Sequence, residues 1–381
     1  MRRIEITLSI KRMAGNYARH LEDDNNFNKD QSPRSRLYRL EHQLRLASAK
    51  VMIEKQPRKG KTPAVWSNHK GKDRQEIADY VKAIADNYVG LNNALPSKYL
   101  NYTNKIEPKL KGLNIEKVRV KIGKKNWTLA EHIVEAMRYD YVQEKLMQQY
   151  VRKLGIKSCC YCNAQFAVTA IVEKERKIDK KGSLRVKKQP GSFYELDHNL
   201  PKSKYPYLCT NFYNLQPCCS SCNRRKNDRE LGFSIYYEPG DVMPLRPLHF
   251  ALGAKELIDY RVKNKCHGIT AHLCNAGSDV EPVVGDGSLA DRFNELLGVN
   301  DVYKEFSDEI EEILWRHKMY SAGMLTSLNT QMSALVKSFD FKRYILGTYA
   351  DEEQAAKRPL TVMAQDIWKQ VEGKKAAMIK P

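Results

Sequence analysis

The chain has 381 residues, enough to bury a substantial core and to form two or three domains. It contains 65 Lys plus Arg against 45 Asp plus Glu, and the net charge of +20 suits a polyanionic partner such as nucleic acid. Residues 1–16 lack the apolar core of a signal peptide, and no later run approaches the length of a membrane span. We therefore expect a cytoplasmic protein with no membrane association.

The beginning of the chain carries mainly helical signals. Residues 2–10 alternate between apolar and polar side chains, which predicts a short strand. Ser32-Pro33 then has the form of an N-cap followed by an N1 proline, and the apolar positions after it predict a helix that continues to Val51. Residues 55–72 are basic and contain Pro and Gly, so we expect an exposed linker there.

Two further helices are predicted before the first cysteine pair. The apolar periodicity of residues 73–89 predicts an amphipathic helix that Gly90 ends. A brief alternation from Val118 to Ile122 predicts a strand. Thr128 and Glu131 then have the spacing of a capping box, which predicts a long helix that runs through Val151 and stops at Gly155.

The central segment changes to a strand pattern. Residues 166–172 are apolar and β-branched, and residues 193–196 form a second short run. Between them, residues 174–188 contain eight basic and two acidic residues, so we expect two antiparallel strands joined by a long basic hairpin. A loop over 199–213 and a short helix over 219–231 are predicted next.

The C-terminal third is predicted to be rich in helix. Residues 233–285 show short mixed segments without a clear period. Ser288 is a predicted N-cap for a helix that runs to Leu297, and apolar positions from Val302 to Leu314 predict a longer helix. A last helix is predicted from Pro359 through Val371.

Four of the nine cysteines form two C-x-x-C pairs about sixty residues apart, Cys159/Cys162 and Cys219/Cys222. This spacing is typical of four thiolates that close a tetrahedral structural zinc site, and in a reducing cytosol it favours metal over disulfides. Cys160 and Cys218 are neighbours of the pairs and leave the register open. We prefer the register in which both pairs are two-residue knuckles.

Oxygen and imidazole side chains accompany these cysteines. Asp197-His198 follows the predicted hairpin, Asn214 precedes a leucine, and Asn223 comes directly after the second cysteine pair. Carboxylate and amide oxygens are ligands for a hard cation, and imidazole accepts protons near neutral pH. The pattern predicts a structural zinc ion and a second, catalytic cation.

This set of motifs resembles the HNH nucleases of the ββα-metal group over about residues 155–230, as an H-N-N variant. The resemblance implies that Asp197 and Asn223 hold one Mg²⁺ or Mn²⁺ and that His198 is the general base. It implies that Asn214 fixes the loop that aims His198. It also implies products with 5′-phosphate and 3′-hydroxyl ends.

Two neighbouring groups have more than one interpretation. Arg224, Arg225 and Lys226 either contact nucleic-acid phosphates or form an ordinary solvated helix face. A second metal site is an alternative for the group Cys266, His267, His272 and Cys274, although the alternation of this stretch fits half-buried strand residues better.

These signals together predict an α+β protein. We expect a mainly helical N-terminal region over 1–154, a central zinc-bound ββα-metal (HNH) unit over 155–232 and an α-rich C-terminal region over 233–381 that contacts a partner or nucleic acid. The predicted function is a metal-dependent endonuclease, with DNA as the favoured nucleic acid.

The wider role has several alternatives. Residues 292–315 weakly resemble HNH effectors of bacterial anti-phage systems, which implies a partner ATPase. Restriction and homing endonucleases share the same core. A zinc-stabilised nucleic-acid-binding module without catalysis is the competing interpretation from another functional class.

Overall fold

The computed structural model describes residues 3–28, 30–46, 48–53, 67–68, 71–178, 184–320, 322–335 and 340–378. Most of the predicted linker over 55–72 and the tip of the predicted basic hairpin lie outside these ranges. Helices and strands are mixed in an α+β arrangement, as predicted.

The helices span the following residues in chain order: α1 Leu8–Glu22, α2 Pro33–Arg45, α3 Gly71–Asn92, α4 Tyr99–Ile106, α5 Leu129–Ala136, α6 Tyr139–Tyr141, α7 Met147–Leu154, α8 Ser220–Lys226, α9 Ala254–Arg261, α10 Leu289–Leu297, α11 Val299–Lys304, α12 Ser307–Met319, α13 Ala322–Leu335, α14 Phe341–Leu346 and α15 Thr361–Met378. The strands span β1 Ile4–Glu5, β2 Lys50–Ile53, β3 Ser67–Asn68, β4 Val118–Ile122, β5 Lys125–Thr128, β6 Val168–Ile178, β7 Leu184–Phe193, β8 Glu195–His198, β9 Leu215–Cys218, β10 Tyr236–Tyr237, β11 Leu248–Leu252 and β12 Ala271–Asn275.

The strands form small sheets rather than one large sheet. The largest has the order β3-β2-β4-β5, while β11 pairs with β12 and β1 pairs in parallel with β10. Two antiparallel pairs occupy the middle of the chain. β6 and β7 form a long ribbon with a bulge at Glu173/Glu175, and β8 pairs with β9 directly before α8.

The predicted helix starts are confirmed where a local capping signal specified them. Ser32 caps α2, Thr128 and Glu131 form the capping box of α5, and Ser288 caps α10. Each capping side chain accepts a hydrogen bond from a backbone N–H three residues ahead, which satisfies one of the unpaired donors of the first turn.

Several predicted boundaries near the N-terminus are wrong. The strand predicted over 2–10 is limited to β1, because Thr7 caps α1 and Leu8 is mostly exposed within that helix. The helix predicted to reach Val51 ends at Arg45, and Val51 lies in β2. Gly90 does not end α3, which continues to Asn92.

Later helices are also interrupted or have other boundaries than predicted. The single helix expected from Thr128 to Val151 is interrupted at Arg138, which has a left-handed backbone (φ +59°). The helix expected over 219–231 stops at Lys226. The break at Glu305 separates α11 from α12, and α15 begins at Thr361 rather than at Pro359.

Two hydrophobic cores divide the central segment between them. The first contains α1 to α7 and also buries Leu196 and the loop residues Tyr207, Leu208, Cys209, Phe212 and Tyr213. The second contains the cysteine pairs together with β11, β12 and the C-terminal helices. The junction between β8 and α8 therefore lies where the two cores meet. Among the described helices, none combines the length and apolar content that crossing a lipid bilayer requires.

Candidate metal centres and the Asp197–His198 site

The predicted four-cysteine group is present. The sulfurs of Cys159, Cys162, Cys219 and Cys222 all lie within 4.8 Å of one another, and the Cys162 and Cys219 sulfurs are 4.0 Å apart. A tetrahedral zinc with Zn–S bonds of about 2.3 Å requires sulfur separations of about 3.8 Å. The group therefore has the donors and the spacing to bind a metal such as zinc.

Backbone amides in both knuckles point at the sulfurs. Ala164 N–H donates to Cys162 Sγ and Cys222 N–H donates to Cys219 Sγ, each at 3.4 Å. Cys219 is also the N-cap of α8. Hydrogen bonds from the Cys159 thiol, and then from the Cys162 and Cys222 thiols, lower the pKa of Cys219. The backbone donors favour the thiolate form at Cys162 and Cys219, whereas burial raises the pKa of Cys159 and the hydrogen bond with the Cys159 thiol raises the pKa of Cys222.

The neighbouring cysteines resolve the register. Cys218 lies in β9, and its thiol donates to the backbone carbonyl of Glu195 at 3.6 Å, outside the four-sulfur group. Burial raises the pKa of both Cys160 and Cys218, which keeps these thiols protonated. The preferred register of two-residue knuckles agrees with this geometry.

The alternative second metal group is not assembled. His267 is exposed and its Nδ1 pairs with Glu311 at 3.0 Å, while Cys274 lies in β12 opposite His249. Within the described ranges, the four cysteines are the single cluster of His, Cys, Asp and Glu side chains close enough to hold a metal.

Asp197 is buried in β8 and two donors hold the same carboxylate oxygen. Tyr161 O–H donates to Oδ2, and the ammonium of Lys226 lies 3.1 Å from Oδ2. Both contacts are made with Oδ2, and no hydrogen bond from the described residues reaches Oδ1. Lys226 Nζ also donates to the backbone carbonyl of His198 at 2.7 Å, so one lysine fixes both residues of the Asp-His pair.

The exposed basic face predicted for residues 224–226 is present only in part. Arg224 and Arg225 are exposed. The prediction is wrong for Lys226, whose side chain is 0% exposed because it turns inward to the Asp197 carboxylate. A buried ammonium requires a buried counter-charge, and Asp197 supplies it.

His198 faces away from Asp197, because alternate residues of a strand point to opposite faces. Its Nε2 bonds to the backbone carbonyl of Cys209 at 2.9 Å, and its ring packs 4.7 Å from the Tyr139 ring. A carbonyl oxygen only accepts, so Nε2 carries the proton and Nδ1 is the unprotonated nitrogen. Burial, and then the charge of Lys202, lower the pKa of His198 to about 3, so the ring is neutral.

Asn214 is fully buried and holds the loop between β8 and β9. Its Oδ1 accepts from Leu200 N–H at 2.8 Å, and its Nδ2 donates to the carbonyls of Leu200 and Leu208 at 3.0 and 3.1 Å. The next residue, Leu215, pairs with His198 in the sheet. These contacts fit the predicted role of a residue that fixes the loop around His198.

Asn223 is half-buried on α8 and donates from Nδ2 to Glu195 Oε2 at 2.5 Å. Glu195 lies on the same face of β8 as Asp197. Asp197 and Asn223 therefore lie on facing elements, but their side chains do not share a partner: Asp197 contacts Tyr161 and Lys226, and Asn223 contacts Glu195. The geometry adds Glu195 as an acidic group beside the predicted cation ligands.

Three contributors to this site were not assigned from the sequence. Glu195 had a usable signal, since an E-x-D spacing in a strand places two carboxylates on one face. Tyr161 and Gln216 had none, because their contacts with Asp197 and with each other join residues that are distant in the chain.

Comparisons with protein-family models, with curated proteins and with solved structures find no match for this chain.

Proposed function

We propose that this protein is a metal-dependent endonuclease that hydrolyses phosphodiester bonds in nucleic acid, with DNA as the favoured substrate. One observation carries the proposal: the environment of two adjacent residues at the end of β8. Asp197 is an ion-paired carboxylate with Oδ1 left outside both donor contacts, and His198 is a neutral imidazole in a single tautomer. A carboxylate ligand and a neutral base are what metal-assisted phosphodiester hydrolysis needs.

The surrounding elements support the same proposal. β8, β9 and α8 follow one another as a strand, strand and helix, with the four-cysteine group at the start of the helix. This order is similar to that of the HNH nucleases, and the group's expected role is to stabilise a small unit with zinc.

Asp197 Oδ1 and the amide oxygen of Asn223 are the proposed ligands of a single Mg²⁺ or Mn²⁺, and Glu195 lies beside them. Oxygen donors of this type suit a hard divalent cation. Such a cation would neutralise a non-bridging phosphate oxygen and the charge that develops on the leaving oxygen.

His198 acts as the general base. Its Nδ1 accepts a proton from the attacking water while the bond between the water oxygen and phosphorus forms and the bond to the 3′-oxygen breaks. The leaving oxygen takes a proton from solvent, which gives a 3′-hydroxyl and a 5′-phosphate. A phosphate bound beside the ring would raise the pKa of His198 from its value of about 3, because the imidazolium would then face an anion.

Basic groups around the site suit nucleic acid. The β6–β7 ribbon includes residues 174–178 and 184–188 of the basic segment and is followed by β8, and its residue Lys188 is exposed. Arg224 and Arg225 are exposed on α8. Together with the net charge of +20, these groups favour binding to phosphates.

A zinc-stabilised nucleic-acid-binding module without catalysis is the second candidate. The observation in its favour is the Lys226 ammonium, which already neutralises the Asp197 carboxylate without a divalent cation. Such a module would bind DNA with the same salt dependence but would not cut it.

A role as an anti-phage effector with a partner ATPase is a further part of the proposal. Residues 292–315, which carry that weaker resemblance, include α11, where Tyr303 O–H donates to the backbone carbonyl of Cys162 at 2.7 Å. A partner bound to this region would act close to the first knuckle.

The test is cleavage of plasmid DNA by the zinc-loaded protein with Mg²⁺ or Mn²⁺, then with chelator. His198→Ala is expected to lower the cleavage rate by about 10²- to 10⁴-fold, the usual contribution of a general base. His132→Ala is the matched control, since His132 is also buried and bonds through Nε2 to a backbone carbonyl, that of Val120.

The proposal fails if His198→Ala cuts at the wild-type rate. Binding of DNA without any nicking by the wild-type protein would favour the binding module. Co-purification with an ATPase that switches cleavage on would support the anti-phage role.

A further inference from the structure

The segment that carries each cysteine pair also carries one side chain that contacts the same oxygen of Asp197. Tyr161 stands between Cys159 and Cys162 in the first knuckle, and its hydroxyl donates to Oδ2. Lys226 lies one turn after Cys222 on α8, and its ammonium lies 3.1 Å from Oδ2. Both segments that carry the four sulfurs therefore contact the Asp197 carboxylate, one through Tyr161 and the other through Lys226.

The direction of the Tyr161 contact is fixed by Gln216. Gln216 lies opposite Asp197 in the β8–β9 pairing, and its Nε2 donates to the Tyr161 hydroxyl at 2.5 Å. The hydroxyl accepts this bond, so its single proton is available for Asp197. Both Tyr161 and Gln216 are 0% exposed, so water does not compete for these contacts.

Lys226 fixes a second point on the same strand. Its ammonium forms an ion pair with the carboxylate of Asp197 and donates a hydrogen bond to the backbone carbonyl of the next residue, His198. The side-chain direction of Asp197 and the backbone that carries His198 are thereby held by one group from the helix of the second knuckle.

We propose that Tyr161 and Lys226 are positioning residues. They connect the four-cysteine zinc group to the Asp197 carboxylate and hold it so that Oδ1 faces the divalent cation. The inference rests on the proposed endonuclease function. It gives the zinc group a second role beyond stability, because loss of zinc would free both knuckles and release both donors from Asp197. Groups that orient a metal ligand in this way commonly change metal affinity by about 10- to 100-fold when they are removed.

The test compares two buried tyrosines that both contact the first knuckle. Tyr161→Phe removes the hydroxyl that reaches Asp197. Tyr303→Phe removes a hydroxyl that donates to Cys162 O and serves as the matched control. Mn²⁺ affinity is measured by electron paramagnetic resonance of free Mn²⁺ at saturating zinc, with zinc content and thermal unfolding measured on the same samples.

We expect Tyr161→Phe to weaken Mn²⁺ binding by about 10- to 100-fold with one zinc retained, and Tyr303→Phe to stay within about twofold of the wild type. Equal Mn²⁺ affinity for Tyr161→Phe and the wild type would overturn the inference and leave the endonuclease proposal standing. Absence of Mn²⁺ binding in the wild type would overturn both.

If Tyr161→Phe loses zinc, Gln216→Met takes its place, because Gln216 orients the hydroxyl from outside the knuckle. A smaller loss of Mn²⁺ affinity in the same direction is expected. An unchanged affinity with zinc retained would overturn the inference.

Discussion

The four-cysteine group and the Asp197–His198 strand end lie on neighbouring elements, but different interactions hold them. The cysteines need two short knuckles, in which backbone amides already face the sulfurs. The strand end is held by groups far away in the chain, among them Tyr139, whose hydroxyl donates to Leu196 O at 2.8 Å. The geometry of the first site follows from local spacing, whereas that of the second depends on the packing of both cores.

The largest effect is expected on α8, the helix that carries Cys222 of the four-cysteine group and Lys226 of the strand-end site. Cys222→Ser removes one thiolate, and a structural zinc contributes on the order of 10 kcal/mol to folding. We expect loss of the bound zinc and of cooperative thermal unfolding, with the strand end disordered as well. Cys160→Ser, next to the cluster but not part of it, should keep one zinc by elemental analysis. A Cys222→Ser protein that retains one tightly bound zinc would contradict the assignment.

Breaking the buried ion pair should have the next largest effect. Lys226→Met leaves the Asp197 carboxylate without its counter-charge, and removal of one partner of a buried pair costs about 3–5 kcal/mol. The free energy of unfolding, measured with denaturant, should fall by that amount. Replacing Asp197 by Asn as well should recover part of the loss. The exposed control Arg224→Met should change the free energy of unfolding by less than about 0.5 kcal/mol.

Asn214→Ala should affect the strand end without disturbing zinc. The substitution leaves the backbone groups of Leu200 and Leu208 without their partner, at a cost of about 2–3 kcal/mol in the free energy of unfolding. The cleavage rate should fall with it, because the loop that aims His198 is loosened. Zinc content should be unchanged. The exposed Asn25→Ala is the control, and equal stability of the two variants would refute the loop-fixing role.

The smallest effect is expected on the ribbon. Lys188→Glu changes one exposed charge on β7. If Lys188 contacts one phosphate, the slope of log affinity against log salt should become shallower by about 1, with stability unchanged. Lys255→Glu, an exposed lysine on α9, is the control. Equal slopes for Lys188→Glu and the wild type would remove the ribbon from the proposed DNA contact.

The sequence predicted those features that neighbouring residues determine. The capping box at Thr128 and the N-caps at Ser32 and Ser288 involve contacts three residues apart. The cysteine register followed from spacing in the same way. The strand expected over residues 2–10 failed because its pairing partner, β10, lies more than two hundred residues away and covers only Ile4 and Glu5.

The same distinction between local signals and distant contacts applies to the candidate site. Asp197, His198 and Asn214 could be selected because their types and order match a known pattern. The burial of Lys226 could not be predicted, because a lysine beside two arginines on a short helix is normally solvated and its counter-charge is 29 residues earlier. The contact of Asn223 with Glu195 likewise depends on how α8 packs on β8.

The proposed site for a divalent cation beside the four cysteines depends on Asp197. Crystals of the zinc-loaded protein soaked in Mn²⁺ would test it directly by anomalous scattering at the manganese and zinc edges. We expect one zinc peak among the four sulfurs and one manganese peak about 2.1 Å from Asp197 Oδ1 and from the amide oxygen of Asn223. A manganese peak elsewhere, or none while Lys226 still holds the carboxylate, would contradict it.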